Sequence, residues 1–456
     1  MKKRTKKRRK LRIFLLSVVA IAVIAVAYNF ISGYLKSRPA MDYIYYSGTA
    51  AKAVYPDIKF AVISDIHAYD QSLGITGAAF EKVMLSDRKL LLDSFDLIEL
   101  AINELLGSDV EMVLISGDLT KDAELINHTH LAKELQRLVD ADIKVFVVPG
   151  NHDYNNPVSE GYDGDNTYPV EDVSAEEFAA MYANMGYGNA ISRDANSLSY
   201  ITEAKPGLWI LGIDFCRSDE NVSGGYPVVG GRLKESTMRW MAEVLDRAAR
   251  ENIAVIALSH HGVVEHWNGQ AKLHPDYLVE DFKHVGRFLA SYNVRLVFTG
   301  HYHAQDIVRA DFGDYGYLYD IETGSIVTYP CPMRYGDIRN GTLDIKTDTI
   351  VYRLHPGTDF AENAKAFVKQ TVYLEAFDTL KRYRVSDKDS DIIADAVSDA
   401  FIAHYYGDED PSQRPELDKS RLGLWGRIVL AVQQYVLDGL WVDLPPADNN
   451  VTLNVR

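Results

Sequence analysis

Two histidines separated by one tyrosine follow an apolar run in TGHYHAQD, residues 299–306. Other apolar runs also end in short motifs with carboxylate, carboxamide or imidazole side chains. The five motifs are Asp65-Ile66-His67, Gly117-Asp118, Gly150-Asn151-His152-Asp153, His260-His261 and Gly300-His301-Tyr302-His303. Oxygen and nitrogen donors without thiolates suit manganese, iron, zinc or nickel, whereas calcium and magnesium prefer all-oxygen sites. These residue types therefore predict a transition-metal centre.

The number of candidate ligands indicates more than one metal ion. Two carboxylates, one amide oxygen and four imidazoles exceed the needs of one ion, but they suffice for two if Asp118 bridges them. Residues two apart at a strand end are expected to project the same way, as Asp65 and His67 or His301 and His303 would. On this interpretation His301 and His303 each serve a different ion. A glycine before a ligand would let the backbone turn tightly.

The elements that must position these motifs alternate between strands and helices. Apolar runs predict strands at 58–64, 111–116, 143–148, 253–259 and 294–299. Helical periodicity covers 88–106, 124–139, 235–250 and 281–291, a hairpin is predicted at 198–214, and antiparallel strands over 317–354. In α/β sheets, ligands bind beyond the carboxyl ends of the strands. We therefore expect the five motifs to converge at one edge.

The ordered series D-x-H, G-D, G-N-H-D, H and G-H-x-H resembles the calcineurin-like metallophosphoesterase superfamily over residues 58 to about 305. The resemblance implies an α/β fold, a metallophosphoesterase-type β-sandwich flanked by helices, with two divalent or trivalent ions of manganese, iron, zinc or nickel. It implies one ion held by Asp65, His67, Asp118 and His303, and a second held by Asp118, Asn151, His260 and His301. The family often has H-x-P at the fourth motif, where this chain has His260-His261-Gly262, so His260 is chosen over His261 by register.

The resemblance also implies hydrolysis of a small phosphoester. The family pattern assigns His152 to protonate or stabilise the leaving group, with Asp153 orienting its ring, although a structural role for Asp153 is the alternative. The phrases GDLTKDAE and SHHGVVEH, together with the domain order, are similar to exported bacterial cyclic-nucleotide phosphodiesterases. We favour a phosphodiesterase of small diesters. The alternatives are a phosphomonoesterase, nucleotidase or pyrophosphohydrolase on the same core, and a non-catalytic binding module.

Candidate substrate contacts come from the loop 154–172 and from isolated side chains. The loop is aromatic and acidic, and loops of this length near a site are usually lids or substrate walls. Tyr154 and Asn155 are candidates on this ground. His261, beside His260 in the fourth motif, is another candidate, and Arg334 could pair with a phosphate. His266 is a further residue that could reach the site, or an ordinary loop histidine.

The amino-terminal region predicts a membrane segment. Residues 1–12 hold nine basic side chains, and residues 13–35 have no charged side chain. That apolar run is long enough to cross a hydrocarbon core, and the basic flank is expected in the cytoplasm. We favour a single-pass anchor in the cell membrane with the catalytic part outside the cytoplasm. The alternative is a secretory signal cleaved after Ala27.

The remaining composition bounds partners and domains. The chain has a net charge of −16, and without its basic start it carries −25, which argues against long nucleic acid as a partner. The two cysteines, Cys216 and Cys331, are best explained as buried thiols, a disulfide being the alternative. We divide the chain into a tether at 36–57, a catalytic domain at 58–356 and an all-α carboxyl-terminal domain at 357–456.

Overall fold

The computed structural model describes residues 40–48 and 53–456. The chain divides after Tyr43, and the unit Ile44–Arg456 contains all the helices and strands of the described part. The predicted basic segment 1–12 and membrane segment 13–35 lie outside the described residues. Among the described helices, none combines the length and apolar character needed to cross a bilayer.

Fifteen strands and ten α-helices make up the described part of the chain. The strands are β1 (Ile58–Ile63), β2 (Met112–Ile115), β3 (Lys144–Val147), β4 (Glu160–Asp163), β5 (Asn166–Pro169), β6 (Ser192–Arg193), β7 (Tyr200–Lys205), β8 (Leu208–Ile213), β9 (Ala254–Ser259), β10 (Leu296–Thr299), β11 (Asp306–Asp311), β12 (Tyr317–Glu322), β13 (Pro332–Arg339), β14 (Thr342–Thr349) and β15 (Asn450–Asn454). The helices are α1 (Ala78–Ser86), α2 (Ser94–Leu106), α3 (Leu125–Asp140), α4 (Ala175–Met181), α5 (Glu235–Glu251), α6 (Gln270–Leu273), α7 (Phe282–Ser291), α8 (Phe360–Arg382), α9 (Asp387–Tyr406) and α10 (Leu424–Gly439).

Two mixed sheets face each other across the core. The first has the order β15-β14-β13-β1-β2-β3, and the second β11-β12-β10-β9-β8-β7-β6. The rings of Phe60 and Phe298, one from each sheet, meet edge to face with centroids 5.4 Å apart. Tyr200 OH on β7 donates to Val147 O on β3 at 3.0 Å. The predicted α/β sandwich is therefore confirmed, and its central strands are apolar because both of their faces are covered.

Helices cover the sheets through apolar stripes. In α2, Leu97, Ala101 and Leu105 recur every four residues and are buried, which gives this helix one core-facing side. In α5, Met238, Met241 and Leu245 recur every three to four residues and are buried beside the second sheet. These stripes follow the periodicity from which helices were predicted. The helix predicted at 88–106 begins only at Ser94. A 3₁₀ turn at Leu91–Asp93 precedes it, and residues 88–90 form a loop.

The prediction of an all-α carboxyl-terminal domain is wrong in one element. After α8, α9 and α10 the chain returns to the first sheet, where β15 pairs antiparallel with β14 and Leu453 lies opposite Leu343. Tyr317 OH donates to Asn454 O at 3.1 Å and ties the new edge to the second sheet. The partner of this short strand lies about a hundred residues earlier, so local periodicity could not reveal the pairing. The boundary at 356 remains a prediction.

Smaller differences concern the loops and the tether. Strand β11 follows the last histidine motif directly and was not predicted, and the loop 154–172 contains the hairpin β4–β5.

Within the predicted tether, Tyr55 is buried and its OH donates to Val255 O at 2.9 Å, so this part packs on the second sheet. Cys216 and Cys331 are buried and free, as expected.

Candidate metal centre

Five strand ends deliver the sequence motifs to one edge of the sandwich. Asp65 follows β1, Asp118 follows β2, and Asn151 follows β3, all in the first sheet. His260 and His301 follow β9 and β10 in the second sheet. The candidate site therefore lies where the carboxyl ends of the two sheets meet, as expected for α/β folds.

One group of candidate ligands consists of Asp65, His67 and His303. His67 Nε2 lies 3.2 Å from His303 Nε2, and both nitrogens approach Asp65 Oδ1, at 3.9 and 3.3 Å. The carboxylate is held from behind, because Ser64 Oγ donates to Asp65 Oδ2 at 2.5 Å and the His301 amide donates to both oxygens. The three side chains thus present one oxygen and two nitrogens to a common point.

A second group contains Asp118, Asn151, His260 and His301. His260 Nε2 lies 3.3 Å from Asp118 Oδ2, 3.2 Å from Asn151 Oδ1 and 3.0 Å from His301 Nδ1. The same Asp118 Oδ2 is 3.6 Å from His67 Nε2 of the first group. Asp118 therefore stands between the groups, in the position that a bridging ligand requires.

Hydrogen bonds on the far side of two rings decide which nitrogens face this group. His260 Nδ1 donates to Ser116 O at 2.8 Å, and His301 Nε2 donates to Asp276 O at 3.3 Å. In the neutral rings, His260 Nε2 and His301 Nδ1 therefore carry lone pairs, and they face Asp118 Oδ2. Acceptor atoms that face one another repel unless a proton or a metal ion lies between them. The residues present fit a metal ion on this ground.

The backbone at five of the candidate ligands is left-handed. Their φ angles are 50° at Asp65, 42° at His67, 49° at Asp118, 77° at His301 and 66° at His303. Such angles are uncommon for residues other than glycine, and each costs on the order of 1 kcal/mol or more. The expectation that the paired ligands follow the alternation of an extended strand is therefore wrong. They converge through left-handed turns beyond the strand, so five of the seven candidate ligands have strained backbone.

Two glycines are required by close approach. A Cβ on Gly150 would lie 2.1 Å from Asp118 Oδ1, and a Cβ on Gly300 would lie 2.1 Å from Ser64 Oγ and 2.5 Å from Asp65 Oδ2. Real Cβ atoms do not come this near to other atoms. The glycines before Asn151 and His301 thus make room for the neighbouring carboxylates, which extends the predicted role of a tight turn.

His152 lies beside the ligands rather than among them. Its Nε2 is 3.9 Å from Asp118 Oδ2, and its Nδ1 donates to Asp122 Oδ1 at 2.8 Å. This bond fixes the ring so that Nε2 points towards the metal centre. Asp122 was missed from the sequence, although it stands four residues after Asp118 in GDLTKDAE. Its closeness in the chain to Asp118, a predicted metal ligand, was the signal that could have identified it.

The prediction that Asp153 orients the His152 ring is wrong. The Asp153 carboxylate accepts from Gly150 N at 2.8 Å and from Thr120 N at 3.0 Å. Burial and the charge of Asp118 raise the pKa of Asp153 to about 7. Asp153 therefore braces the turns that carry Asp118 and Asn151, which is the structural alternative considered for it.

The charges of the site are tightly interdependent. Burial would raise the pKa of Asp118, but the charges of His260 and His152 hold it well below its ordinary value. Burial opposes protonation of His260, yet Asp118 raises the pKa of that ring to about 9. Burial and the positive charge of Lys89 lower the pKa of His67 well below its ordinary value. Anionic Asp118 and neutral His67 are the forms that ligate cations.

A cavity of about 300 Å³ opens beside these ligands. Its further walls include Arg88, Lys89, Tyr277, Glu375 and Tyr405. Sequence reasoning missed the two basic residues because it placed them in a helix, whereas they belong to the loop before α2. Lys89 is buried and pairs with Asp87 at 3.5 Å, and Arg88 pairs with Glu375. The cavity therefore contains both basic and acidic side chains, and bound cations would supply the positive charge that suits an anionic ligand.

Arg334 does not reach the cavity, so its predicted contact with phosphate is wrong. Its guanidinium is buried on β13 and donates to Asp448 O, to Glu322 O at 2.7 Å and to Asp306 O at 3.4 Å. Three backbone carbonyls therefore occupy the donors that a phosphate would need. Arg334 fastens β11, β12 and the segment before β15 to the first sheet.

The remaining predicted substrate contacts point elsewhere. Tyr154 is buried and its OH donates to Asp214 Oδ2 at 3.1 Å, while the Asn155 amide donates to Val173 O at 2.8 Å. The described residues that line the cavity include neither of them. His261 is buried and donates from Nε2 to Val229 O at 2.9 Å, and its ring meets that of His301 edge to face, with centroids 4.6 Å apart.

His266 belongs to a separate buried cluster. Its Nδ1 donates to Asp306 Oδ1 at 3.0 Å, and its Nε2 lies 3.4 Å from Asp320 Oδ1 and 3.5 Å from Glu322 Oε2. Asp320 in turn accepts from Thr299 Oγ1 at 2.6 Å. This histidine therefore joins β11 and β12 to the strand end below the site, instead of reaching the site itself.

Several known proteins of solved structure are similar to this chain, each at low sequence identity. One is a dimetal phosphatase from Danio rerio, which is 17% identical to this chain and has a TM-score of 0.46. The match covers 64% of this chain and 96% of the phosphatase. A purple acid phosphatase from yellow lupin is 10% identical and has a TM-score of 0.39; the match covers 66% of this chain and 52% of the lupin protein. A Haemophilus influenzae NAD nucleotidase is 14% identical and has a TM-score of 0.33; the match covers 65% of this chain and 48% of the nucleotidase.

Among curated protein sequences, none matches this chain. The sequence model of calcineurin-like phosphoesterases, by contrast, matches residues 58–305. That range contains every candidate ligand described above and amounts to more than half of the 456 residues. The chain therefore belongs to the calcineurin-like phosphoesterase family.

Proposed function

We propose that this protein is a two-metal phosphodiesterase that acts on small diesters, cyclic nucleotides among them. Family membership supports metal-dependent hydrolysis of phosphoesters. The observation that carries the two-metal scheme is the position of Asp118 Oδ2, within 3.6 Å of His67 Nε2 and 3.3 Å of His260 Nε2. One carboxylate oxygen is thus shared by two sets of ligands.

Each side chain near the centre has a role in this scheme. Asp65, His67 and His303 would hold one ion, Asn151, His260 and His301 the other, and Asp118 both. When bound, such ions stabilise charge on phosphoryl oxygens and lower the pKa of a coordinated water. His152 donates the proton that the leaving oxygen needs, because Asp122 binds its Nδ1–H and directs Nε2 into the cavity.

The preference for diesters is supported by the shape of the cavity. It continues from the ligands to Arg88, Tyr277 and Tyr405, so a second ester substituent has room beyond the phosphorus. Lys89, paired with Asp87 at 3.5 Å, lies on the same side, where its ammonium group would donate to a phosphate oxygen of the diester. Manganese, iron, zinc and nickel all remain candidates for the two ions, because nitrogen and oxygen ligands accept each of them.

A comparison of two chromogenic esters tests the proposal. The purified protein, reconstituted with Mn²⁺, should hydrolyse bis-p-nitrophenyl phosphate with a higher kcat/KM than p-nitrophenyl phosphate. An Asp118→Asn variant prepared in parallel shows how much contaminating phosphatase contributes. A preference for the monoester would favour the phosphomonoesterase or nucleotidase alternative. Absence of turnover with both esters, together with absence of bound transition metal, would favour a non-catalytic binding module.

We also propose that the catalytic part works outside the cytoplasm, held by a segment at 13–35. The support is the sequence alone: a basic start followed by an uncharged apolar run. Fractionation of expressing cells, with mass spectrometry of the mature amino terminus, distinguishes an anchored chain from one cleaved after Ala27. Recovery of the uncleaved chain in the cytoplasmic fraction would contradict both forms of this proposal.

A further inference from the structure

A second cavity of about 200 Å³ lies among the carboxyl-terminal helices, next to the candidate metal centre. Helices α8, α9 and α10 supply most of its walls, and most of the lining side chains are apolar. Val372, Val397, Phe401, Val429 and Leu437 are representative. His274 also lines it, and burial lowers the pKa of that ring to about 4, so the imidazole adds no charge at neutral pH.

The two cavities meet at one ion pair. Arg88 and Glu375 line both of them and pair with each other. Arg88 also donates to Tyr405 OH at 2.7 Å, and its guanidinium carbon lies 5.3 Å from the centroid of the Phe401 ring. The charged groups are therefore at the end of the apolar cavity that faces the metal centre.

An aromatic wall leads from a candidate ligand to the same cavity. The Tyr277 ring lies 4.5 Å from that of His301 and 4.8 Å from that of Tyr302, measured between centroids. Tyr302 is in turn 6.4 Å from Phe401, which lines the apolar cavity. Tyr277 and Tyr302 thus span the distance from His301, a candidate metal ligand, to the apolar cavity.

This arrangement is polar at one end and apolar along the rest. A ligand that fills both cavities must carry an anionic phosphate at the metal centre and a hydrocarbon part among the helices. Unfilled apolar cavities weaken packing, and binding of hydrocarbon restores the lost contacts. The helices that follow the catalytic core thereby acquire a role in choosing the substrate.

We propose that the apolar cavity binds the hydrocarbon chain of an amphiphilic phosphoester whose phosphate lies beside Asp118. The proposal rests on the proposed phosphoesterase function and names the substrate class of the same site. Phosphate contacts Lys89 and the metal centre, the first carbons pass Arg88 and Tyr277, and the chain ends between α8 and α10.

Calorimetry with soluble ligands measures affinity directly. Methyl, butyl and octyl phosphate, each below its micelle concentration, are titrated into the full-length metal-loaded protein. A buried methylene contributes up to about a fourfold gain in affinity. We expect octyl phosphate to bind at least about tenfold more tightly than methyl phosphate, which is well below that limit. Equal affinities for the three ligands would overturn the proposal.

A matched pair of variants on α8 tests whether the gain in affinity with chain length arises in the apolar cavity. Ala376 lines the apolar cavity, whereas Ala366, ten residues earlier on α8, is exposed. Ala376→Trp should reduce the octyl-to-methyl affinity ratio to near one, and Ala366→Trp should preserve the ratio of the unmodified protein. If Ala376→Trp does not fold, judged by circular dichroism, Val429→Asp on α10 places a charge in the same cavity.

Turnover separates this inference from the proposed function. p-Nitrophenyl methyl, butyl and octyl phosphates share one leaving group and differ only in chain length. A rise of kcat/KM with chain length, lost in Ala376→Trp, supports the inference. Hydrolysis at the same rate for all three would overturn it and leave the phosphodiesterase intact. If none is hydrolysed while octyl phosphate still binds preferentially, the proposed function fails and the apolar site stands.

Discussion

Replacing Asp122 by asparagine should slow ester cleavage most where the leaving group is poor. Asp122 Oδ1 accepts from His152 Nδ1 at 2.8 Å, and its second oxygen pairs with Lys121. Burial would raise the pKa of Asp122, but the charges of Lys121 and His152 hold it well below its ordinary value. The group is therefore a carboxylate, and asparagine removes its charge while keeping its shape.

The size of the effect follows from the bond that is weakened. A hydrogen bond to a charged group contributes about 1.5–3 kcal/mol, and one between neutral groups about 0.5–1.5 kcal/mol. The exchange therefore withdraws about 1–1.5 kcal/mol from the protonated His152 ring. That corresponds to a loss of about 5- to 13-fold in kcat for a leaving group that must be protonated, near the lower end of the range expected for a residue that orients another.

Two diesters provide the assay. Methyl phenyl phosphate has a poor leaving group and should show the full loss, whereas methyl p-nitrophenyl phosphate, whose leaving group departs without a proton, should change less than about threefold. In a His152→Asn background, Asp122→Asn should cost less than about twofold more, because the partner is already gone. If kcat falls equally with both esters, or if Asp122→Asn lowers kcat as much in the His152→Asn variant as in the unmodified protein, Asp122 does not act through His152.

Three further outcomes are expected. Asp118→Ala should lower the bound metal, measured by elemental analysis, from about two ions per chain to fewer than one, and adding Mn²⁺ should then raise Tm less than in the unmodified protein. Arg334→Met should reduce the free energy of unfolding in urea by about 3–5 kcal/mol with unchanged metal content, because buried carbonyls lose their donor; a metal loss instead would place Arg334 at the site. Deletion of 450–456 should accelerate hydrogen exchange along β14, whose amides pair with β15, and unchanged protection would contradict that pairing.

Local signals in the sequence were sufficient for the core of the fold and for the ligand candidates. Apolar runs of four to seven residues predict buried strands, and such strands end where polar side chains begin, so Asp65, Asp118 and His260 stood out by position alone. Their convergence follows because parallel strands share one carboxyl edge. The order of the motifs was enough to indicate the family that the comparison then established.

Relations between distant parts of the chain were decided only by the folded structure. Asp122 rather than Asp153 meets His152 in a loop with left-handed residues at Asp118 and Ala123, and no periodicity encodes those φ angles. Arg334 is buried because Asp448, more than a hundred residues later, returns to cover it. The amino-acid order thus determined which side chains could do chemistry, through residue type and strand ends. Backbone strain and long-range packing, which depend on all elements at once, decided which of them face the site.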